Sequence, residues 1–127
     1  MQLGRVLVVD DSPTMRRNVV LALQLLARVE CVEAGDGVEA LAHFRQGGFG
    51  LVVTNINMPG LNGLRLIQAV RAAEPSLPIL VISTEASPYI RERALQLGAS
   101  LYLTKPVRAD EVVGAVRGLL DAAGRAP

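Results

Sequence analysis

Val6-Leu7-Val8-Val9-Asp10-Asp11-Ser12-Pro13 is the stretch whose reading decides the fold. Four aliphatic residues in a row, without polar alternation, suit a strand buried on both faces. Two acids end the run. Ser12-Pro13 then offers an N-cap hydroxyl ahead of a proline that fits the first helical turn. Strand, acidic turn and helix follow one another here, and the same order repeats along the chain. Strand-like runs recur at Val29 to Ala34, Leu51-Val52-Val53, Ile79-Leu80-Val81-Ile82 and Leu101-Tyr102-Leu103. Between them apolar residues return at helical spacing: Met15, Val19, Ala22 and Leu26; Val38, Leu41 and Ala42; Leu66, Val70 and Ala73; Ile90, Ala94 and Leu97. The last set is Val112, Val113, Val116, Leu119 and Leu120.

Helix boundaries carry their own signals. Ser87-Pro88 repeats the Ser12-Pro13 pattern, and Asp36 with Glu39 resembles a capping box. Gly98 stands where a helix end wants a left-handed residue. Arg108 is a poor N-cap, but Asp110 and Glu111 put negative charge in the first turn of the last helix. Five strands alternating with five helices call for a parallel sheet covered on both faces. The first, third and fourth strands are wholly aliphatic, as interior strands should be. The second carries Glu30 and Glu33, and the fifth is short and carries Tyr102, so these two are the expected edges. The expected fold is therefore α/β and doubly wound, a (βα)5 flavodoxin-like sandwich on a five-stranded parallel sheet of order 2-1-3-4-5.

Composition narrows the classes. The chain has 127 residues, half of them hydrophobic and a fifth charged, which suits one globular domain over 1–127 with a core of about 4–123. A net charge of +1 gives no general reason to expect nucleic acid or an anionic membrane as a partner. A single cysteine cannot form an internal disulfide and suits a reducing compartment such as the cytoplasm. No apolar run is long enough to span a bilayer, and Met1 to Arg5 leads straight into the first strand without a signal peptide.

In such a sheet, ligands bind beyond the carboxyl ends of the strands, where the strand order reverses. The residues expected there are Asp10 and Asp11 after the first strand, Asn55 and Asn57 after the third, Ser83 and Thr84 after the fourth, and Lys105-Pro106 after the fifth. Two adjacent carboxylates repel unless a cation neutralises them. Mg²⁺ does so with oxygen ligands while keeping several waters. The pair equally suits a cap on the first helix. Lys105 is the only lysine against twelve arginines. An ammonium on a flexible stem is suited to an oxyanion at the end of its reach.

These residues resemble a response-regulator receiver domain of two-component phosphorelays, of the CheY-like kind, over the whole chain. The motifs that carry the likeness are VLVVDDSPTMRR from Val6, NINMPGLNG from Asn55, VISTEA from Val81, GAS from Gly98 and LTKP from Leu103. The resemblance implies that Asp10 and Asp11 hold Mg²⁺, joined by the backbone carbonyl of Asn57. It implies that Ser83 bonds a phosphoryl oxygen, that Lys105 pairs with the phosphoryl group, and that Tyr102 is an aromatic switch coupled to Ser83. Met58-Pro59-Gly60 and Gly63 match the turn after the site and the start of the third helix. It further implies a histidine kinase or phosphotransfer domain docking on the first helix, which Arg16 and Arg17 open. An output protein would dock on the face of the fourth helix, fifth strand and fifth helix, near Arg91, Arg93 and Tyr102.

One position departs from the family. Receivers carry the phospho-accepting aspartate where this chain has Asn55, and no acidic residue lies between Glu39 and Glu74 to replace it. A carboxylate can attack phosphorus, whereas an amide carries no charge and its nitrogen lone pair is delocalised. Loss of that charge should also weaken Mg²⁺ binding. Either a receiver has had its acceptor replaced, fixing the unphosphorylated state, or the chain is a natural phosphate-independent module that signals by protein contacts. A small Mg²⁺-dependent phosphotransfer enzyme would need a nucleophile or base that Asn55 does not supply, so the chain is not read as an enzyme. Flavin binding lacks a phosphate loop and the aromatics to sandwich the ring. His43 reads as a solvated helix residue, Cys31 as a small core hydrophobe, and Gly47-Gly48 as a helix end and loop. The last helix should end near Ala123 with no DNA-binding segment after it, as in a single-domain regulator or a fragment of a longer one.

Overall fold

Alternate residues of each interior strand point to opposite faces, and that alternation builds two cores. The computed structural model describes residues 4–26 and 28–122. In chain order the elements are β1 Arg5–Val9, α1 Pro13–Leu26, β2 Glu30–Ala34, α2 Gly37–Phe44, β3 Phe49–Thr54, α3 Gly63–Ala73, β4 Ile79–Ser83, α4 Pro88–Leu97, β5 Leu101–Thr104 and α5 Ala109–Ala122. All strand pairs are parallel and the order is β2-β1-β3-β4-β5. Val6, Val8, Leu51, Val53, Leu80 and Ile82 pack against α1 and α5. Leu7, Val9, Val52, Ile79 and Val81 pack against α2, α3 and α4. The expected order, interior strands and edges are those observed. Met1 to Leu3 and Ala123 lie outside the described residues.

Two local expectations fail. In α2 the buried face is Gly37, Ala40 and Phe44, while Val38 and Ala42 are exposed. The reason is close approach: a Cβ on Gly37 would lie 2.0 Å from the carbonyl oxygen of Leu61. Hydrophobicity alone points to Val38 as the inward residue, but only glycine fits there. Ala73 in α3 is likewise exposed, its place in the core taken by Ile67. The second failure is Ser87, whose hydroxyl makes no capping bond. The α4 start rests instead on Pro88 and on the Arg91 N–H donating to Ser87 O at 3.0 Å. Elsewhere the signals hold. Ser12 Oγ accepts the Met15 N–H, Asp36 Oδ1 accepts the Glu39 N–H, and Gly98 takes φ +125° at the α4 end. At Arg108 the missing cap is offset from the other side, because its N–H donates to Glu111 Oε1 at 2.9 Å.

Gly63 repeats the constraint seen at Gly37. A Cβ there would lie 2.0 Å from the carbonyl oxygen of Asn55. Gly114 on α5 is exposed and faces open space. Gly63→Ala should therefore lower stability by about 2 kcal/mol, whereas Gly114→Ala should raise it by about 0.5 kcal/mol. The urea midpoints of the two variants should move in opposite directions.

Candidate functional site

Parallel ladder bonds carry three residues one step past their strand ends. The Asp10 N–H donates to Ala34 O at 3.1 Å, the Asn55 N–H to Val9 O at 3.0 Å, and the Lys105 N–H to Ser83 O at 2.8 Å. Their side chains consequently meet where the order reverses, between β1 and β3. A cavity of about 560 Å³ opens there. It is lined by Asp10, Asp11, Asn55, Asn57 and Lys105, together with Ser12, Met15, Thr84 and Pro106.

Asp10 is buried and Asp11 is exposed. Lys105 Nζ lies 2.9 Å from Asp10 Oδ2, and both side chains are almost wholly buried. The Ser12 N–H donates to Asp10 Oδ1 at 2.9 Å. The only lysine is thus spent on an internal carboxylate rather than turned to solvent. Asn55 is also buried, its amide folded onto its own loop. Its Oδ1 accepts the Ile56 N–H at 2.7 Å, and its Nδ2 donates to Asn57 O at 3.5 Å. With one cation and two carboxylates, the cavity carries one net negative charge.

Ser83 and Tyr102 stand apart from that lining. Ser83 is fully buried, and its Oγ accepts the Glu85 N–H at 3.1 Å. Thr84 lines the cavity in its stead. Tyr102 is buried, and its hydroxyl donates to Glu85 O at 2.6 Å. Asn57 Nδ2 donates to the Glu85 carboxylate at 3.5 Å. Burial pushes the Tyr102 hydroxyl pKa up and the Glu85 charge adds to the rise, while the Ser83 hydroxyl and Arg91 oppose it.

Among the described residues no three His, Cys, Asp or Glu side chains gather as a metal group. A cation at this cavity would rest on two carboxylates and on carbonyl oxygens. Those hard oxygens retain spare lone pairs beside the hydrogen bonds they accept, which suits an ion that keeps much of its water. Sequence reasoning did not find Met15 on the lining. It lies in the first turn of α1, its N–H capped by Ser12 beside the acidic pair, and that position was the available signal. Arg16, expected only as a residue opening the docking helix, reaches the site itself, its side chain largely covered: Nε lies 3.0 Å from Glu33 Oε1, and Nη1 donates to Asp10 O at 2.6 Å. The neighbouring Arg17 is exposed. Cys31 packs against the α1-side core, and burial pushes its thiol pKa up, so it is a poor nucleophile. His43 lies 3.8 Å from Glu39, one turn earlier on α2.

Lys105→Met leaves the Asp10 carboxylate buried without its cation and should cost about 3 kcal/mol. Adding Asp10→Asn should recover part of that loss, a non-additivity of at least about 1 kcal/mol in a double-mutant cycle. Tyr102 gives a pH signature. Its phenolate forms more readily in the unfolded chain. The stability its burial brings is therefore whole below an unfolded pKa of about 10 and is lost as pH rises through the higher folded value. Tyr102→Phe should remove the latest step of the tyrosinate absorbance titration and flatten that alkaline loss of stability.

Comparison with known proteins agrees with this fold. The family model described as "Response regulator receiver domain" matches residues 6–117. The chain is 40% identical over 107 residues to a chemotaxis protein CheY of Pseudomonas aeruginosa, covering 83% of this chain and 86% of that protein. It is 41% identical to a chemotaxis protein CheY-3 of Vibrio cholerae, covering 83% and 82%. Among solved structures, the Vibrio cholerae chemotaxis protein CheY4 superposes with a TM-score of 0.85 at 33% identity, covering 93% of this chain and 99% of that one. A NarL signal receiver domain from Mycobacterium tuberculosis gives 0.84 at 38% identity, covering 98% of each. The chain belongs to the response regulator receiver domain family, the CheY-like signalling domains of two-component systems.

Proposed function

We propose that this receiver is blocked at its phosphoryl-accepting step by Asn55 and is thereby fixed in the unphosphorylated state, acting through its protein contacts. One observation carries the reading. Asn55 stands at the end of β3 in the cavity that also holds Asp10, Asp11 and Lys105, the position from which an acceptor carboxylate would reach a phosphoryl group. Its amide oxygen is uncharged and already accepts the Ile56 N–H. The acids and the lysine around it are kept, which favours replacement of an acceptor over long drift away from phosphate chemistry.

Receiver domains of this family usually bind Mg²⁺. Here Asp10, Asp11 and the backbone carbonyl of Asn57 would hold it, and the ion would offset the repulsion of the acidic pair. Lys105 is the group for a phosphoryl oxygen; Ser83, buried off the cavity lining here, would have to turn its hydroxyl toward the cavity to join it, and Tyr102 is its aromatic partner. Asn55 supplies no third carboxylate. A divalent ion and a carboxylate roughly 5 Å apart attract by roughly 1.7 kcal/mol at water-like dielectric, on the order of tenfold in affinity.

Receivers interact with histidine kinases and with output proteins. For the kinase or phosphotransfer side we favour α1. Its exposed Leu21 and Leu25 border a groove of about 310 Å³, floored by Val107, Ala109 and Val112 at the start of α5. For the output side we favour the α4-β5-α5 face, where Tyr89 is exposed beside Arg93. No helix among the described residues is long and apolar enough to cross a membrane.

The chain should take no label from acetyl phosphate with Mg²⁺, and Asn55→Asp should restore labelling and tighten Mg²⁺ binding about tenfold. Mass spectrometry of the labelled protein reads the first, and a fluorescence or calorimetric titration the second. Phosphate found on residue 55 of the unaltered chain would refute the block. A folded Asn55→Asp variant that takes no label would favour a natural phosphate-independent module.

A further inference from the structure

We propose that Arg16 is a positioning residue that sets where the Asp11 carboxylate stands. The proposal rests on the reading of Asp10 and Asp11 as cation ligands. The β1 ladder ends at Val9, and the Asp10 N–H still reaches Ala34 O. The Asp10 carbonyl lies beyond the paired strand and takes the guanidinium of Arg16 instead, with Nη1 donating at 2.6 Å. That carbonyl belongs to the same rigid peptide plane as the Asp11 N–H. Fixing its direction fixes the start of Asp11, an exposed residue whose side chain makes no hydrogen bond or ion pair among the described residues.

Arg16 is itself fixed. Its Nε lies 3.0 Å from Glu33 Oε1 on the edge strand β2, and its side chain is mostly covered. Gly35 lies alongside, and even a Cβ there would meet Nη1 only at an ordinary contact of 3.7 Å. A planar fork holds the carbonyl and the carboxylate in fixed directions, which an ammonium's freely rotating donors do not. The guanidinium thus ties the acidic turn to β2 while its own charge stays paired with Glu33.

Arg17 supplies the control. It sits in the same helical turn, pairs with Glu33 Oε2 at 3.8 Å and is exposed. Removing a cation near a Mg²⁺ site raises affinity by relieving Coulomb repulsion alone. Removing a positioning group lowers it. Arg16→Ala and Arg17→Ala should therefore move Mg²⁺ affinity in opposite directions.

The experiment is a Mg²⁺ titration of the chain and both variants by NMR, with amide hydrogen exchange measured without the ion. Arg16→Ala should weaken Mg²⁺ binding about tenfold and speed exchange at the Ser12 amide about tenfold, with Leu7 and Val8 unchanged. Arg17→Ala should do neither. Arg16→Lys should fall between. A Ser12 amide as protected in Arg16→Ala as in the unaltered chain would overturn the proposal, as would Mg²⁺ affinity rising in both variants. If the unaltered chain shows no response to Mg²⁺, the cation reading fails and the Ser12 amide alone decides the positioning role. If Arg16→Ala does not fold, Arg16→Lys carries the same comparison.

Discussion

Parallel pairing is the constraint from which the site follows. In a parallel ladder, the residue after a strand can still donate its N–H to the neighbouring strand. Asp10, Asn55 and Lys105 all do so. Three groups distant in sequence thereby reach one edge, and their backbones are held by the bonds that define the sheet. Side-chain chemistry is then a matter of which residue type follows each strand. The cavity lies where β1 and β3 diverge toward opposite ends of the strand order.

The buried Asp10–Lys105 pair is the electrostatic centre of that edge. Taking both charges out of water is costly, and the pair is tolerable because each satisfies the other and Ser12 satisfies the second carboxylate oxygen. Asn55 fits beside this pair without adding charge. Its amide closes a local ring of bonds with Ile56 and Asn57, so an uncharged residue leaves no buried polar atom without a partner among the described side chains.

Much of this was legible in the sequence because it depends on composition along single segments. Unbroken aliphatic runs distinguish interior strands from edges bearing Glu30 and Tyr102, and strand ends announce the acids, Asn55 and Lys105. What stayed hidden depends on contacts between segments. The inward face of α2 is set by the carbonyl of Leu61, not by the hydrophobicity of Val38. The partner of Lys105 is 95 residues away in sequence. Ser83 could be placed at a strand end, but not its complete burial behind Thr84. Arg16 reads as a helix-surface residue until β2 brings Glu33 alongside it.

Glu85 links the turn below the cavity to the paired ends of β4 and β5. Its N–H goes to the Ser83 hydroxyl, its carbonyl takes the Tyr102 proton, and its carboxylate meets the Asn57 amide. A single loop residue thus answers to the end of β4, to the outer strand and to the turn below the cavity. Any displacement of one contact must be shared with the other two or break them. One loop residue thus fastens the turn under the cavity to the outermost strand by three bonds.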